Sequence, residues 1–354
     1  MAAPSQKTGY NEKILQIIRS GRSEAEIRDE LDNYHANDIA DVLETLDPDT
    51  RKNLYKILGP EMTAEIFTYL DDPASCIEEL GPERAAAILG EMDADDAVDI
   101  LEELEPDEKE ALIARMDQDS KKDIHLIFSY DEELIGSRMT TNYIVIPKSC
   151  SVKQAMRLLI AQAEENDNID TIYVEDESGS YYGAIELKDL ITAREYTDLN
   201  DIISTSYPYV FADDRVENCI ERLIDYGEDS IPVLDQNRKI IGAITFEDIA
   251  EAIDDEMGDD YAKLAGLTAE EDLHEPLLES LKKRLPWLIL LLFLGMGVSS
   301  VVGLFENIVS KIALIICFQS LILDMAGHVG TQSLAVTIRV LMNENISSGQ
   351  KAGF

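Results

Sequence analysis

From Leu285 to Phe305 the chain runs 21 residues without a charged side chain. A helix needs roughly 20 apolar residues to cross a bilayer core. Ile312 to Ile338 follows the link 306–311 and carries one charge, Asp324. The pattern predicts a C-terminal transmembrane α-helical hairpin, with spans at 285–305 and 312–338 inside a membrane part 285–354. Its second arm contains a polar, glycine-rich break, Gly327-His328-Val329-Gly330-Thr331-Gln332-Ser333, where a plain anchor would be Leu and Ile. Lys282, Lys283 and Arg284 stand directly before the first span, and the positive-inside rule puts that end in the cytoplasm. The bilayer is thus an expected partner. The expected location is the plasma membrane, multi-pass, with the N-terminal body in the cytosol.

The body is as acidic as the hairpin is apolar. The whole chain carries −41. Residues 280–354 hold six basic side chains (Lys282, Lys283, Arg284, Lys311, Arg339, Lys351) and three acids (Glu306, Asp324, Glu344), a net +3 that leaves −44 on the first 279 residues. Such a field disfavours nucleic acid and attracts cations. It would equally serve solubility alone, so a sharper reading needs local clusters. Four scattered cysteines without a CxxC pair imply a reducing compartment and no disulfide frame. Met1–Lys13 has no apolar core of the kind a signal peptide carries.

Residues 1–136 read as an all-α superhelical domain. Turn signals recur at Leu46-Asp47-Pro48, Leu58-Gly59-Pro60, Leu70-Asp71-Asp72-Pro73, Leu80-Gly81-Pro82, Met92-Asp93, Leu104-Glu105-Pro106 and Met116-Asp117, ten or twelve residues apart. Between them apolar residues fall at helical intervals, as in Ile39, Val42, Leu43 and Leu46. Proline opens a helix comfortably, and acids suit its first turn. Short helices of this kind stack into solenoids, which serve as interaction surfaces or as plain scaffolds. Asp95 and Asp99 lie one turn apart and share a face.

Residues 137–257 change to short β runs and helices, and repeat once. Ile172-Tyr173-Val174 returns as Ile231-Pro232-Val233, Gly183-Ala184-Ile185 as Gly242-Ala243-Ile244, and Asp189-Leu190-Ile191 as Asp248-Ile249-Ala250, each at an offset of 59. This α/β tandem (137–198 and 199–257) resembles a pair of CBS domains, modules that commonly bind adenine nucleotides such as ATP. The resemblance implies a ribose contact from Thr245 and Asp248. The same two residues are also placed to be a helix cap and its partner. The matching first-half residue, Glu186, would repel phosphate, which puts any nucleotide in the second half.

An acidic exit helix follows, with Asp248, Glu251 and Asp255 on one side and Glu256, Asp259 and Asp260 on another. Like charges at an effective dielectric near 20 and ~4 Å apart cost about 4 kcal/mol per pair, which a divalent cation would relieve. Hard oxygen ligands favour Mg²⁺ or Ca²⁺. The absence of EF-hand spacing argues against an all-protein Ca²⁺ cage. A solvated linker helix is the plainer reading. Residues 258–284 then connect to the membrane.

Stacked acidic helices, a CBS pair, an acidic connecting helix and a span opening Arg284-Leu285-Pro286-Trp287-Leu288 together resemble the MgtE family of magnesium channels and transporters. Gly327–Ser333 is similar to that family's G-N-x-G-x-Q-S stretch, with His328 in place of Asn. The resemblance implies a homodimer, joined through the CBS and membrane parts, whose Mg²⁺ path closes when cytosolic Mg²⁺ is high. Mg²⁺ would be both cargo and regulator. The implied sensing acids are Asp95, Asp99, Glu217, Asp248, Glu251, Glu256, Asp259 and Asp260, and the implied pore-lining residues are Gly327, His328, Gly330, Thr331 and Gln332. The family has five spans and this chain is expected to supply two, which implies a truncated transporter that does not conduct alone. The alternative is a membrane-anchored CBS adenine-nucleotide sensor without transport. No Ser-His-Asp, Cys-His, P-loop or zinc spacing is present, and no enzyme is expected.

Overall fold

The computed structural model describes residues 4–70, 72–164, 166–253, 277–305 and 313–341. They form two compact units, 1–252 and 253–354. The first begins with nine helices: α1 (Pro4–Ile18), α2 (Glu24–Leu31), α3 (Ala36–Leu43), α4 (Pro48–Phe67), α5 (Pro73–Glu78), α6 (Pro82–Leu89), α7 (Ala94–Glu103), α8 (Pro106–Ile113) and α9 (Gln118–Ile127). The repeated acid–proline turns are their starts. Asp47, Asp72 and Asp117 each accept a backbone N–H of the first turn, from Thr50, Ser75 and Ser120, while Pro48, Pro73, Pro82 and Pro106 open their helices. Proline there loses no bond because the first N–H groups have no partner in the helix. Alternate helices pack, α4 on α6 on α8 and α5 on α7 on α9, giving a two-row superhelix. One turn signal, Leu58-Gly59-Pro60, is a kink inside α4. Gly59 sits at φ +81°, which relieves proline's clash with the preceding turn and suits only glycine.

The CBS pair follows as two three-stranded sheets. β1 (Ile144–Pro147) runs parallel to β2 (Thr171–Glu175), and β2 antiparallel to β3 (Tyr181–Glu186). β4 (Val210–Phe211), β5 (Ser230–Leu234) and β6 (Ile240–Thr245) repeat the order. α10 (Val152–Gln162) and α11 (Leu187–Thr192) belong to the first half, and α12 (Val216–Tyr226) to the second. The offset of 59 survives in the pairing: Ile172 faces Ile185 as Ile231 faces Ile244, and Val174 faces Gly183 as Val233 faces Gly242.

The halves are interlocked. Thr140, before β1, exchanges two backbone hydrogen bonds (2.8 and 2.9 Å) with Ala243 of β6, and Ser204, before β4, exchanges two (2.8 and 3.1 Å) with Ala184 of β3. Each half therefore lends the other an extra edge residue. A Cβ on Gly183 would lie 2.5 Å from Ser204 O, and one on Gly242 2.8 Å from Thr140 O, so both crossings require glycine. Between the halves Tyr173 Oη and Ser230 Oγ are 2.7 Å apart, and within the second half Tyr207 Oη donates to Ser230 O at 2.8 Å. Thr171 and Ser230, equivalent in the repeat, are both buried here. Tyr173→Phe should leave Ser230 Oγ without its buried partner and cost about 1–2 kcal/mol, read as a lower urea midpoint at unchanged slope.

In the second unit, helices cover Leu277–Leu304 and Ala313–Leu341. Among the described residues one segment, Leu281–Leu304, is long and apolar enough to cross a membrane. The expected two-span hairpin is thus one candidate span plus a second helix. The link 306–311 lies outside the described residues. Nor is Gly327–Ser333 a break in the backbone: residues 327–333 stay helical, and Thr331 Oγ1 donates to Gly327 O at 3.0 Å. Cys76 and Cys219 are buried free thiols and Cys150 a half-buried one.

Candidate acidic regulatory cleft

α7 buries Ala97, Val98, Ile100 and Leu101, which turns its acids to the flank. Opposite stands the helix that follows β6, residues 246–253. Between them lies a cleft of ≈ 600 Å³ that also takes in the ends of α4 and α7 and Asp167 of the CBS pair. Twelve of its described lining residues are Asp or Glu, and none is Lys or Arg.

The electrostatic cost of this arrangement is visible group by group. Burial, then the Asp248, Asp96 and Asp93 charges, holds the Asp95 carboxyl well above its ordinary range. Asp95 Oδ1 is shielded from solvent and accepts no hydrogen bond. Burial, then Asp93, Asp248 and Asp99, pushes Asp96 up to about 7. Burial raises Asp248 to about 6, against the pull of hydrogen bonds from Thr245. An acid among acids in a poorly solvated groove prefers its neutral form. A hard cation would reverse that preference.

Asp95, Asp99, Asp248 and Glu251 therefore meet in one cleft, as the spacing suggested for the helix acids. Asp96, Asp93 and Asp167 join them, although helical spacing alone does not select them. Their signal was present: Asp93, Asp95, Asp96 and Asp99 crowd the start of one helix. Glu217 does not line this cleft. It opens α12 in the second CBS half, 3.9 Å from Arg215, which also contacts Glu133 at 2.6 Å. Glu256, Asp259 and Asp260 lie outside the described residues. Gly327, His328, Gly330, Thr331 and Gln332 sit exposed on the Ala313–Leu341 helix, where His328 Nε2 is 3.7 Å from Asp324 Oδ1.

Thr245 and Asp248 are engaged with each other. Asp248 Oδ2 accepts from Thr245 N (2.7 Å) and Thr245 Oγ1 accepts from Asp248 N (3.3 Å), the reciprocal bonding of a capping box. Among the described residues no three His, Cys, Asp or Glu side chains converge into a ready metal cage. The cleft is instead a carboxylate-lined groove, whose spread-out oxygens suit an ion that keeps most of its water, as Mg²⁺ does.

Comparison with known proteins fits this geometry. Residues 34–133 match the MgtE intracellular N domain, and 132–196 and 199–255 match the CBS domain. The chain is 39% identical to the magnesium transporter MgtE of Enterococcus faecalis over 87% of its own length and 68% of the relative's. It is 31% identical to that of Bacillus subtilis over 97% and 77%. A crystal structure of the soluble part of a magnesium transporter superposes with TM-score 0.67 at 28% identity, covering 71% of this chain and 99% of that one. A cytosolic domain of the Mg²⁺ channel MgtE in complex with ATP superposes with TM-score 0.61 at 26% identity, covering 68% and 99%. These relatives are named magnesium transporters. With an MgtE intracellular N domain followed by a CBS pair, and 39% and 31% identity to MgtE transporters over most of its length, the chain belongs to the MgtE magnesium transporter family.

Proposed function

We propose that this chain carries the cytosolic regulatory body of a magnesium transporter, reading an adenine nucleotide through its CBS pair and Mg²⁺ through the acidic cleft. Residues 1–136 and 137–257 are the two sensing domains. Residues 258–284 connect them to a membrane part, 285–354, in a multi-pass plasma-membrane protein. The observation that carries the cation half is Asp95 Oδ1, shielded and unpartnered among acids that burial and like charge hold above their ordinary range. Asp95, Asp96, Asp99 and Asp248 would hold a hydrated Mg²⁺, and the ion would supply the positive charge the cleft lacks. Cation binding draws the acid-bearing walls together; its loss lets them separate, and that difference in affinity between two states is the regulatory signal. Transport of Mg²⁺ under this control is the function of the family to which the body belongs.

The nucleotide half is supported by the CBS pair and by the ATP complex of a related cytosolic domain. Here Thr245 and Asp248 would have to open their mutual hydrogen bonds to reach a ribose. Exposed Ile160, Ile191, Tyr196 and Phe246 on the CBS helices and their flanks favour a homodimer.

Calorimetry on the full chain in detergent tests both halves. ATP is expected to bind, and Thr245→Ala to weaken it roughly tenfold by removing a buried polar contact worth about 1.4 kcal/mol. Unchanged ATP affinity would move the nucleotide elsewhere in the pair. Mg²⁺ at millimolar concentration is expected to protect the 128–143 junction from protease, and equal cleavage with and without it would sink the cation reading.

A further inference from the structure

The helical domain and the CBS pair meet across a groove lined by one sign of charge, so something other than those charges must fix how closely they approach. Three consecutive residues at the junction are built for that. Thr140 is pinned to the CBS sheet by its two backbone bonds to Ala243. Thr141 Oγ1 then donates to Asp123 Oδ2 of α9 at 3.2 Å, and Asn142 Nδ2 donates to Asp93 Oδ1, at the start of α7, at 3.0 Å. Asn142 is oriented from behind, because its Oδ1 accepts the backbone N–H of Asn168 at 3.3 Å. That bond turns the amide's oxygen toward the CBS pair and its Nδ2 hydrogens toward the helical domain.

We propose that Thr141 and Asn142 form a cation-independent latch, two neutral donors that hold carboxylates of the helical domain against the CBS pair and set the groove's resting aperture. Hydrogen bonds from neutral donors to charged acceptors are among the stronger ones, and they need no ion. Asp93 caps α7, whose other acids face acids of the CBS wall across the groove, while Asp123 lies on α9, outside the groove lining. The latch therefore opposes the groove's own repulsion, and it lowers the cation concentration needed for closure because a partly closed groove already brings the acids together. The inference rests on the packing of the two domains and stands apart from whether Mg²⁺ is the ligand.

The test is hydrogen–deuterium exchange of α7 and α9 in the full chain, first in chelator and then across a Mg²⁺ titration. The Thr141→Val, Asn142→Ala double variant is expected to exchange these helices about fivefold or more faster in chelator, from the loss of two charge-assisted bonds. It should also raise the Mg²⁺ concentration of half-protection. Thr141→Ser keeps the hydroxyl and should behave as the parent. Asn142→Asp sets a carboxylate against Asp93 and should open the junction at least as far as the double variant. Exchange within β2 and β5 reports whether the CBS pair stays folded, and it should not change. Parental exchange of α7 and α9 in chelator for the double variant overturns the latch, as does opening by Thr141→Ser. If Mg²⁺ fails to protect the parent while the double variant still opens, the latch stands and the cation reading falls.

Discussion

Asp96→Asn is expected to stabilise the Mg²⁺-free protein at pH 7.5 and to flatten its pH dependence. Burial and its acidic neighbours push Asp96 up to about 7 and Asp248 to about 6, whereas an unfolded Asp titrates near 3.9. Between about pH 4 and pH 7 the folded chain therefore holds protons that the unfolded chain has released. Stability falls as pH rises through that window, and the loss is complete above the folded values. A tenfold difference in proton affinity between the folded and unfolded chain is worth about 1.4 kcal/mol. Because these carboxylates line an open groove and are partly screened by solvent, the total is on the order of 2 kcal/mol. In a body of this size that moves the melting temperature by several degrees. Removing the Asp96 charge should recover part of the loss at pH 7.5 and weaken the stabilisation that Mg²⁺ gives the parent. Differential scanning calorimetry from pH 4.5 to 8, with and without Mg²⁺, reads all three effects. A parent whose stability rises with pH across this range would remove the electrostatic account of the cleft.

Gly242→Ala should be the most damaging single-methyl change in the CBS pair, with Gly183→Ala close behind. A Cβ at Gly242 would stand 2.7 Å from Met139 Sδ and 2.8 Å from Thr140 O. The sulfur can swing away. The carbonyl cannot, because Thr140 is held by its exchange with Ala243. Overpacking against fixed backbone costs about 1–3 kcal/mol or more, and here it also pries at the residue directly before the junction's two donors, Thr141 and Asn142. At Gly183 the obstacle is Ser204 O at 2.5 Å, again pinned backbone. Gly9→Ala is the matched control. It lies within α1 with nothing within 4 Å, and gaining a better helix former should stabilise it by roughly 0.5–1 kcal/mol. Urea midpoints at constant slope should rank the variants accordingly, and a neutral Gly242→Ala would mean the crossing is not rigid.

The sequence shows most of the cytosolic architecture because periodicity states it directly. The 59-residue offset announces two similar halves, and the pairing register of β2–β3 repeats in β5–β6 at that offset. The acid–proline turns announce helix starts, since proline and a capping Asp are useful at one place in a helix. The kink at Gly59 was hidden because the same turn signal serves both to end a helix and to bend one. Site membership was harder. Helical spacing selects Asp95 with Asp99, yet membership in a groove depends on which flank of α7 meets the CBS pair, and that is decided by packing about 150 residues away in the chain. Asp96 enters by that route. Asn142 could not have been found from its type, since its role depends on Asp93 and Asn168 arriving on either side. The membrane end stayed coarse because apolar length specifies a span and says little about how helices pair.

The exchange of edge residues between the CBS halves also bears on how the chain is made. While a ribosome is extending the chain, Thr140 emerges long before Ala243, its partner, has been synthesised. The first half can form its own three strands early, but the sheet built on β5 and β6 closes only when the chain loops back to a segment about a hundred residues upstream. Such non-local pairing is slow to form, and until it forms an unpaired strand edge is open to wrong partners. The apolar Leu281–Leu304 segment comes later in the chain, beyond the helix 246–253. Synthesis of that segment and completion of the cytosolic body therefore fall close together, and a nascent chain halted between them would expose both an open edge and an apolar segment.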